Sequence, residues 1–158
     1  MFEYLGAGIL VISAWLISCT LIHEHTTALN ELEALYDMIF YIRDNIEHLM
    51  KPIPDIFREY KNHFLETCGF LSEVRSKDLR AAWETQTFHI SGETKQLLEH
   101  FIKNIGNGYR KEELRLCDYT LERLRKLLDR TRSDTINQLK LYKTVPMMLA
   151  LSVILILI

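Results

Sequence analysis

The chain predicts an all-α fold: a membrane-anchored helical bundle with two long antiparallel helices and shorter cap helices. Three observations predict it. Both ends carry long apolar runs without charge, six glycines and three prolines leave long stretches uninterrupted, and apolar residues between the ends recur every three or four positions. The 158 residues hold 19 Lys+Arg against 21 Asp+Glu, a formal net charge of −2. All of these charges except Glu3 fall between residues 23 and 143, so that middle part must face water. A balance so near zero gives no bulk attraction to phosphate backbones, and no nucleic-acid partner is expected.

Residues 4–22, YLGAGILVISAWLISCTLI, rise about 28 Å as a helix and match a hydrocarbon core about 30 Å thick. This is a predicted transmembrane helix. A cleaved signal peptide needs a basic start, and the chain begins Met1-Phe2-Glu3. Leu16-Ile17-Ser18-Cys19 has the apolar-apolar-small-Cys order that lipidation uses, which supports an alternative: an exported or lipid-anchored helical adaptor.

Residues 144–158 predict a second, C-terminal transmembrane helix. The apolar run is short, fourteen residues from Val145, but Lys143 and Tyr142 lengthen it by snorkelling. It is apolar on every face, and burying it inside a protein takes a larger core than residues 23–143 supply. Pro146 is expected to kink or restart the helix. Bases cluster before this segment, among them Arg130, Arg132, Lys140 and Lys143, and none lies in the N-terminal tail. The positive-inside rule therefore places residues 23–143 in the cytoplasm.

In that domain Leu29, Leu32, Leu35/Tyr36, Ile39, Ile42, Ile46 and Leu49 form one helix face. Asn30 with Glu33 resembles a capping box, yet no Gly or Pro occurs from Ile9 to Lys51, so a continuous helix is the other reading. Pro52 and Pro54 end it. Pro54 suits the first turn of a second helix through Ile56, Phe57, Tyr60, Phe64 and Cys68, and Gly69 suits its C-terminal cap. A short helix is expected from Ser72 to about Thr87, with Trp83 as a large anchor, and another from Glu93 to about Ile105. Gly106-Asn107-Gly108 reads as a helix-to-helix turn, because no strand precedes it to make a phosphate loop. The stripe from Leu114 through Cys117, Leu121, Leu124 and Leu128 to Leu139 defines the longest helix, which leads into the second span.

If both ends insert on one side, the first and last helices run antiparallel and should pair. Charge agrees: residues 23–50 carry a net −5 with Arg43 their one base, and residues 110–143 carry a net +4. Such complementarity sets orientation more than stability.

No pattern of catalytic chemistry is found. His23 and His25 lie on different helix faces, the other histidines are scattered, and Asp44/Glu47 and Glu112/Glu113 read as solvated or salt-bridged faces. Cys19, Cys68 and Cys117 are isolated, without zinc or disulfide spacing. No catalytic residue, cofactor or metal is expected, and the chain is not expected to be an enzyme.

The N-terminal span, Met50-Lys51-Pro52-Ile53-Pro54-Asp55, Ala81-Ala82-Trp83, the Ile105-Gly106 turn, and Leu141-Tyr142-Lys143 before the apolar end follow in a distinctive order. In these the chain resembles the stage III sporulation protein AB family of endospore-forming Firmicutes. The resemblance implies a part of the secretion-like complex that joins mother cell and forespore during engulfment, similar to the platform F protein of type II secretion. It implies membrane lipid, an AA-type ATPase and other proteins of the same operon as partners, with a homo-oligomer also open. The domain would lie at the mother-cell side of the septum or outer forespore membrane. Where the family places an Asp three residues after the turn Gly this chain has Tyr109, which leaves Asn107 as the nearest cap for the last helix. Since the long helices occupy each other, the docking surface is expected at the distal cap: Trp83 with Gly106, Asn107 and Gly108.

Overall fold

Helix α1 runs Phe2–His48 without interruption, so Asn30 lies inside a helix and the capping-box reading is set aside. The computed structural model describes residues 2–49 and 51–157, and side chains chiefly between residues 26 and 141. After α1 come α2 (Ile53–Glu59), α3 (His63–Thr67), α4 (Phe70–Ser76), α5 (Leu79–Thr85), α6 (Gly92–Asn104) and α7 (Arg110–Leu157), with no strand among the described residues. The chain divides into two compact units, Ala28–Arg130 and a second made of Met1–Thr27 with Thr131–Ile158.

In the unit of the two chain ends Thr135 is buried, and the Ser152 hydroxyl donates to the Met148 carbonyl at 2.9 Å, the back-bond that lets a hydroxyl sit on a helix among apolar residues. Among the described residues no helix is long and apolar enough to cross a membrane. Most side chains of the expected spans at 4–22 and 144–158 lie outside those described, but α7 runs through Pro146 to Leu157 as one helix, so the restart expected at Pro146 does not occur.

In the Ala28–Arg130 unit the expected stripe of α1 is the core wall: Leu35, Ile39 and Ile42 are fully buried, joined by Ala34 and Met38. Each such aliphatic side chain contributes about 1.5–3 kcal/mol on leaving water. Leu49, expected on this face, lies one residue past the helix and is 57% exposed. From α7, Cys117 and Leu124 are buried without residual exposure, and Leu98 and Phe101 come from α6. Arg43 Nε donates to Asp118 Oδ1 at 2.6 Å, and Arg110 Nε donates to the Ile46 carbonyl at 3.1 Å. Ascending numbers on α1 meet descending numbers on α7, so the two helices are antiparallel here, as expected.

Two helices are more divided than the sequence suggested. The helix expected from Pro54 to Gly69 breaks between α2 and α3, because Tyr60 and Asn62 are extended and the Asn62 side chain accepts from the Leu65 amide at 3.1 Å. Gly69 does close that stretch: its φ of +82° is a left-handed conformation that glycine adopts without cost, and it leads directly into α4. The helix expected over Ser72–Thr87 breaks at Lys77-Asp78, where Asp78 accepts from the Ala81 amide at 2.6 Å and starts α5. A side-chain oxygen that satisfies an orphan N–H is a strong start signal inside a helical pattern.

Candidate docking cleft

A solvent-facing cleft of about 640 Å³ opens where the Pro52-Ile53-Pro54 turn, the α4–α5 junction and the α6–α7 turn converge. Its floor is apolar: Ile53, Val74, Leu79, Ile102 and Ile105. Five bases line it, Lys51, Arg58, Arg75, Lys77 and Arg80, against two acids, Asp78 and Glu113.

The bases are of two kinds. Arg75 and Arg80 are held by backbone. Arg75 Nε donates to the Phe57 carbonyl at 3.1 Å and its Nη2 to the Tyr60 carbonyl at 2.6 Å, closing the C-terminus of α2 from a different helix, and the same Nη2 pairs with Glu66 at 3.5 Å. Arg80 Nη2 donates to the Lys103 carbonyl at 3.1 Å at the end of α6. Arg110 does the same for α1 through the Ile46 and Glu47 carbonyls. Each cation thus meets the negative end of a helix dipole and satisfies carbonyls left over by the last turn. The rim bases instead pair with carboxylates: Lys51 with Glu59 at 2.5 Å, Arg58 with Asp55 at 3.3 Å and Lys77 with Glu73 at 3.2 Å. The Glu59 carboxylate raises the Lys51 ammonium above its usual range.

Of the expected docking residues, Gly106 and Asn107 line this cleft. Gly106 has φ +84°, and a Cβ there would stand 3.7 Å from Ile53, so the glycine is required by the turn's conformation rather than by crowding. The Asn107 side chain donates to the Lys103 carbonyl at 3.1 Å, beside Arg80, and so closes the end of α6. It does not cap α7, correcting that expectation: the Glu112 carboxylate reaches back to the Tyr109 amide at 3.3 Å, the returning half of a capping box. Gly108 packs beside Glu112, outside the cleft lining. Trp83 is 7% exposed, its ring stacked on Phe88 at 5.2 Å, with Phe70 edge-on to Phe88 at 5.5 Å. The indole is therefore a core anchor beneath α5, as is Leu79, and the residue of α5 that lines the cleft from an exposed position is Arg80.

One polar contact outside the cleft had no signal in the sequence. Glu31 on α1, 4% exposed, accepts from the His89 amide and lies 3.1 Å from His89 Nδ1, tying the α5–α6 connection to the first helix. Arg75, Arg80 and Glu31 were equally silent, because a single charge on a helix reads as a solvated face. Among the described residues no three His, Cys, Asp or Glu side chains gather as a metal site. Burial pushes the Tyr60 phenol up to about 12.

The family model of stage III sporulation protein AB matches residues 3–158. The chain belongs to the stage III sporulation protein AB family. That bears out the resemblance read from the order of its motifs, and it carries a role in sporulation. No curated protein and no solved structure matches the chain. In this AB-family chain two of the motifs behind the resemblance line the cleft: Pro52 and Pro54 shape one wall, and Gly106 turns the chain at the end of α6; a third contributes Ala82, which packs without exposure on α5.

Proposed function

We propose that this AB-family protein is a non-catalytic membrane assembly component of the sporulation complex, whose Ala28–Arg130 unit docks another component through the cleft beside Gly106. The observation that carries the reading is the cleft itself, where three turns converge around arginines braced on helix-end carbonyls, over a base of aliphatic residues. Apolar floors with a few placed polar groups are the usual form of recognition sites. The membership of residues 1–27 and 131–158 in one compact unit supports anchorage of both apolar ends on the same side. The partner that the family resemblance favours is the AA-type ATPase, met from the mother-cell cytoplasm, with other proteins of the operon beside it.

The test is capture of the ATPase by the membrane-embedded protein in sporulating cells. Asn107→Trp fills the cleft mouth at an exposed position and is expected to abolish capture while helicity stays unchanged; undiminished capture refutes docking here. Release of the intact protein from membranes by alkaline carbonate refutes the anchorage.

A further inference from the structure

We infer that a second copy of this chain docks along the outer face of α1: Phe40 of one copy enters the α6–α7 groove at Tyr119 of its neighbour, and the flanking Asp37 and Asp44 meet Arg123 and Arg115. Both faces lie apart from the cleft beside Gly106.

The acidic face is what the core of α1 leaves over. Leu35, Met38, Ile39 and Ile42 are buried, so Asp37, Phe40 and Asp44 stand exposed in steps of three and four along one stripe. Phe40 is 54% exposed between the two acids. Asp37 has no base within ion-pair distance among the described residues. What burial it has, with the Glu33 carboxylate one turn before it, raises its carboxyl above the ordinary 3.8. Asp44 lies 3.5 Å from His48, an imidazole that carries charge only when protonated.

The matching face is a solvent-facing groove of about 360 Å³ between α6 and α7, where half-buried Leu97 and Leu127 and exposed Tyr119 offer apolar surface. Arg115, Tyr119, Arg123 and Leu127 follow in steps of four, off the core stripe of Cys117, Leu121 and Leu124. Both arginines are exposed, and the acids beside them are already engaged, Asp118 by Arg43 and Glu122 by Lys126. Arg123 stands 5.7 Å from the Tyr119 ring centre, a contact that uses the guanidinium face and leaves its N–H edges for a carboxylate. Against these bases the lining sets Glu93, at the start of α6.

Register joins the two faces. Arg43 meets Asp118 between antiparallel helices, so Phe40 stands about level with Leu121, midway between Tyr119 and Arg123. By the same count Asp44 is level with Cys117, between Arg115 and Tyr119, and Asp37 with Leu124, beside Arg123. Asp37 and Asp44 are seven residues apart, about 10.5 Å along a helix, and Arg115 and Arg123 eight, about 12 Å. Two copies related by rotation about an axis parallel to α1 therefore need no shift along it to set acids against bases and Phe40 into the groove. Such a contact joins unlike faces and leaves one of each face open on a pair, so it can extend to further copies. It also gives the opposite charge of α1 and α7 a use that the Arg43–Asp118 pair, reversed in sign, does not.

The experiment is sedimentation of the full chain in a non-ionic detergent over a range of protein concentrations, with helicity followed by circular dichroism. The unaltered chain should associate, and Phe40→Glu should weaken association about tenfold or more at unchanged helicity. Asp37→Arg with Asp44→Arg should abolish it, as should Arg115→Glu with Arg123→Glu, since each sets like charges face to face. All four substitutions in one chain should restore it. An unaltered chain that sediments as a single copy at every concentration overturns the inference. So does association that survives Phe40→Glu and both reversals, which would place the contact elsewhere, or a combined variant that stays dissociated. Loss of ATPase capture in Phe40→Glu, with the unaltered chain remaining single, would assign this face to that partner and overturn the inference as well.

Discussion

Arg43, the one base between residues 23 and 50, donates its Nε to Asp118 Oδ1 at 2.6 Å and so joins α1 to α7 against the prevailing charge of both helices. The acidic helix supplies the cation and the basic helix the anion. Arg43 also pairs with Glu47 one turn on, and the neighbouring carboxylates raise its guanidinium further above its usual range. Replacing Asp118 by Asn should lower stability by about 0.2–1 kcal/mol, the range for a partly exposed pair. A double-mutant cycle with Arg43→Ala, read from thermal unfolding in detergent, should recover that coupling, and a coupling of zero would show the pair to be incidental.

Glu31 is the acid of α1 whose loss should cost most, although it pairs with no base of α7. Its carboxylate is 4% exposed and receives the His89 amide. Glu31→Ala strands that amide and should destabilise by about 1–3 kcal/mol, whereas Glu31→Gln keeps an acceptor and should lose less. The ordering of the two variants in urea unfolding is the check; equal losses would assign the effect to packing.

The broad outline was legible in the sequence and its polar fastenings were not. The stripes of α1 and α7, the stop at Pro52, the left-handed turns at Gly69 and Gly106 and the burial of Trp83 follow from period, backbone stereochemistry and size. The splits at Asn62 and Asp78 were missed because a capping side chain inside an apolar period looks like any other polar residue until its amide partner is known. Arg75 and Arg80 were missed for a related reason: their acceptors are carbonyls at the ends of other helices, and a carbonyl has no sequence identity. The turn at Gly106 and Asn107, which lies in the cleft lining, was visible because it interrupts two helical periods.

The cysteines give a sharper topological test once their surroundings are known. Cys117 is fully buried, and burial, with Asp118 and Glu113 nearby, pushes its thiol up to about 12. With so little thiolate it should resist alkylation in the folded protein from either side of a membrane. Cys68 is half-buried and its Sγ lies 3.5 Å from the Leu65 carbonyl, so it alone of these two reports sidedness. Labelling of intact cells by an impermeant maleimide should leave Cys68 unmodified, with modification after permeabilisation. Labelling before permeabilisation would reverse the orientation.

Acid should loosen the contact between α4 and α5. The Thr85 hydroxyl and Lys77 hold the Glu73 carboxyl below its ordinary 4.5. A carboxyl whose folded value is depressed contributes its stabilisation above the unfolded value, and that contribution disappears as pH falls through the folded one. Stability should therefore decline below about pH 4.5, and Glu73→Gln should flatten that part of the profile by lowering the neutral plateau toward the acid value. An unaltered acid limb in the variant would remove Glu73 from the cause. Because the carboxylate is partly exposed, the effect is expected to shrink in high salt.

Trp83 and Asn107 separate folding from docking. Trp83 stacks on Phe88 and is 7% exposed, so Trp83→Ala should leave a cavity and destabilise by about 3–5 kcal/mol. Any loss of partner capture in that variant should track the unfolded fraction and recover on cooling toward the temperature of maximum stability. Asn107 is exposed and gives up one hydrogen bond to Lys103, so Asn107→Trp should block the cleft at every temperature at which the protein is folded. Capture measured against temperature in both variants distinguishes the two. A temperature-independent loss in Trp83→Ala, with circular dichroism still native, would mean that the indole itself contributes to the docking surface.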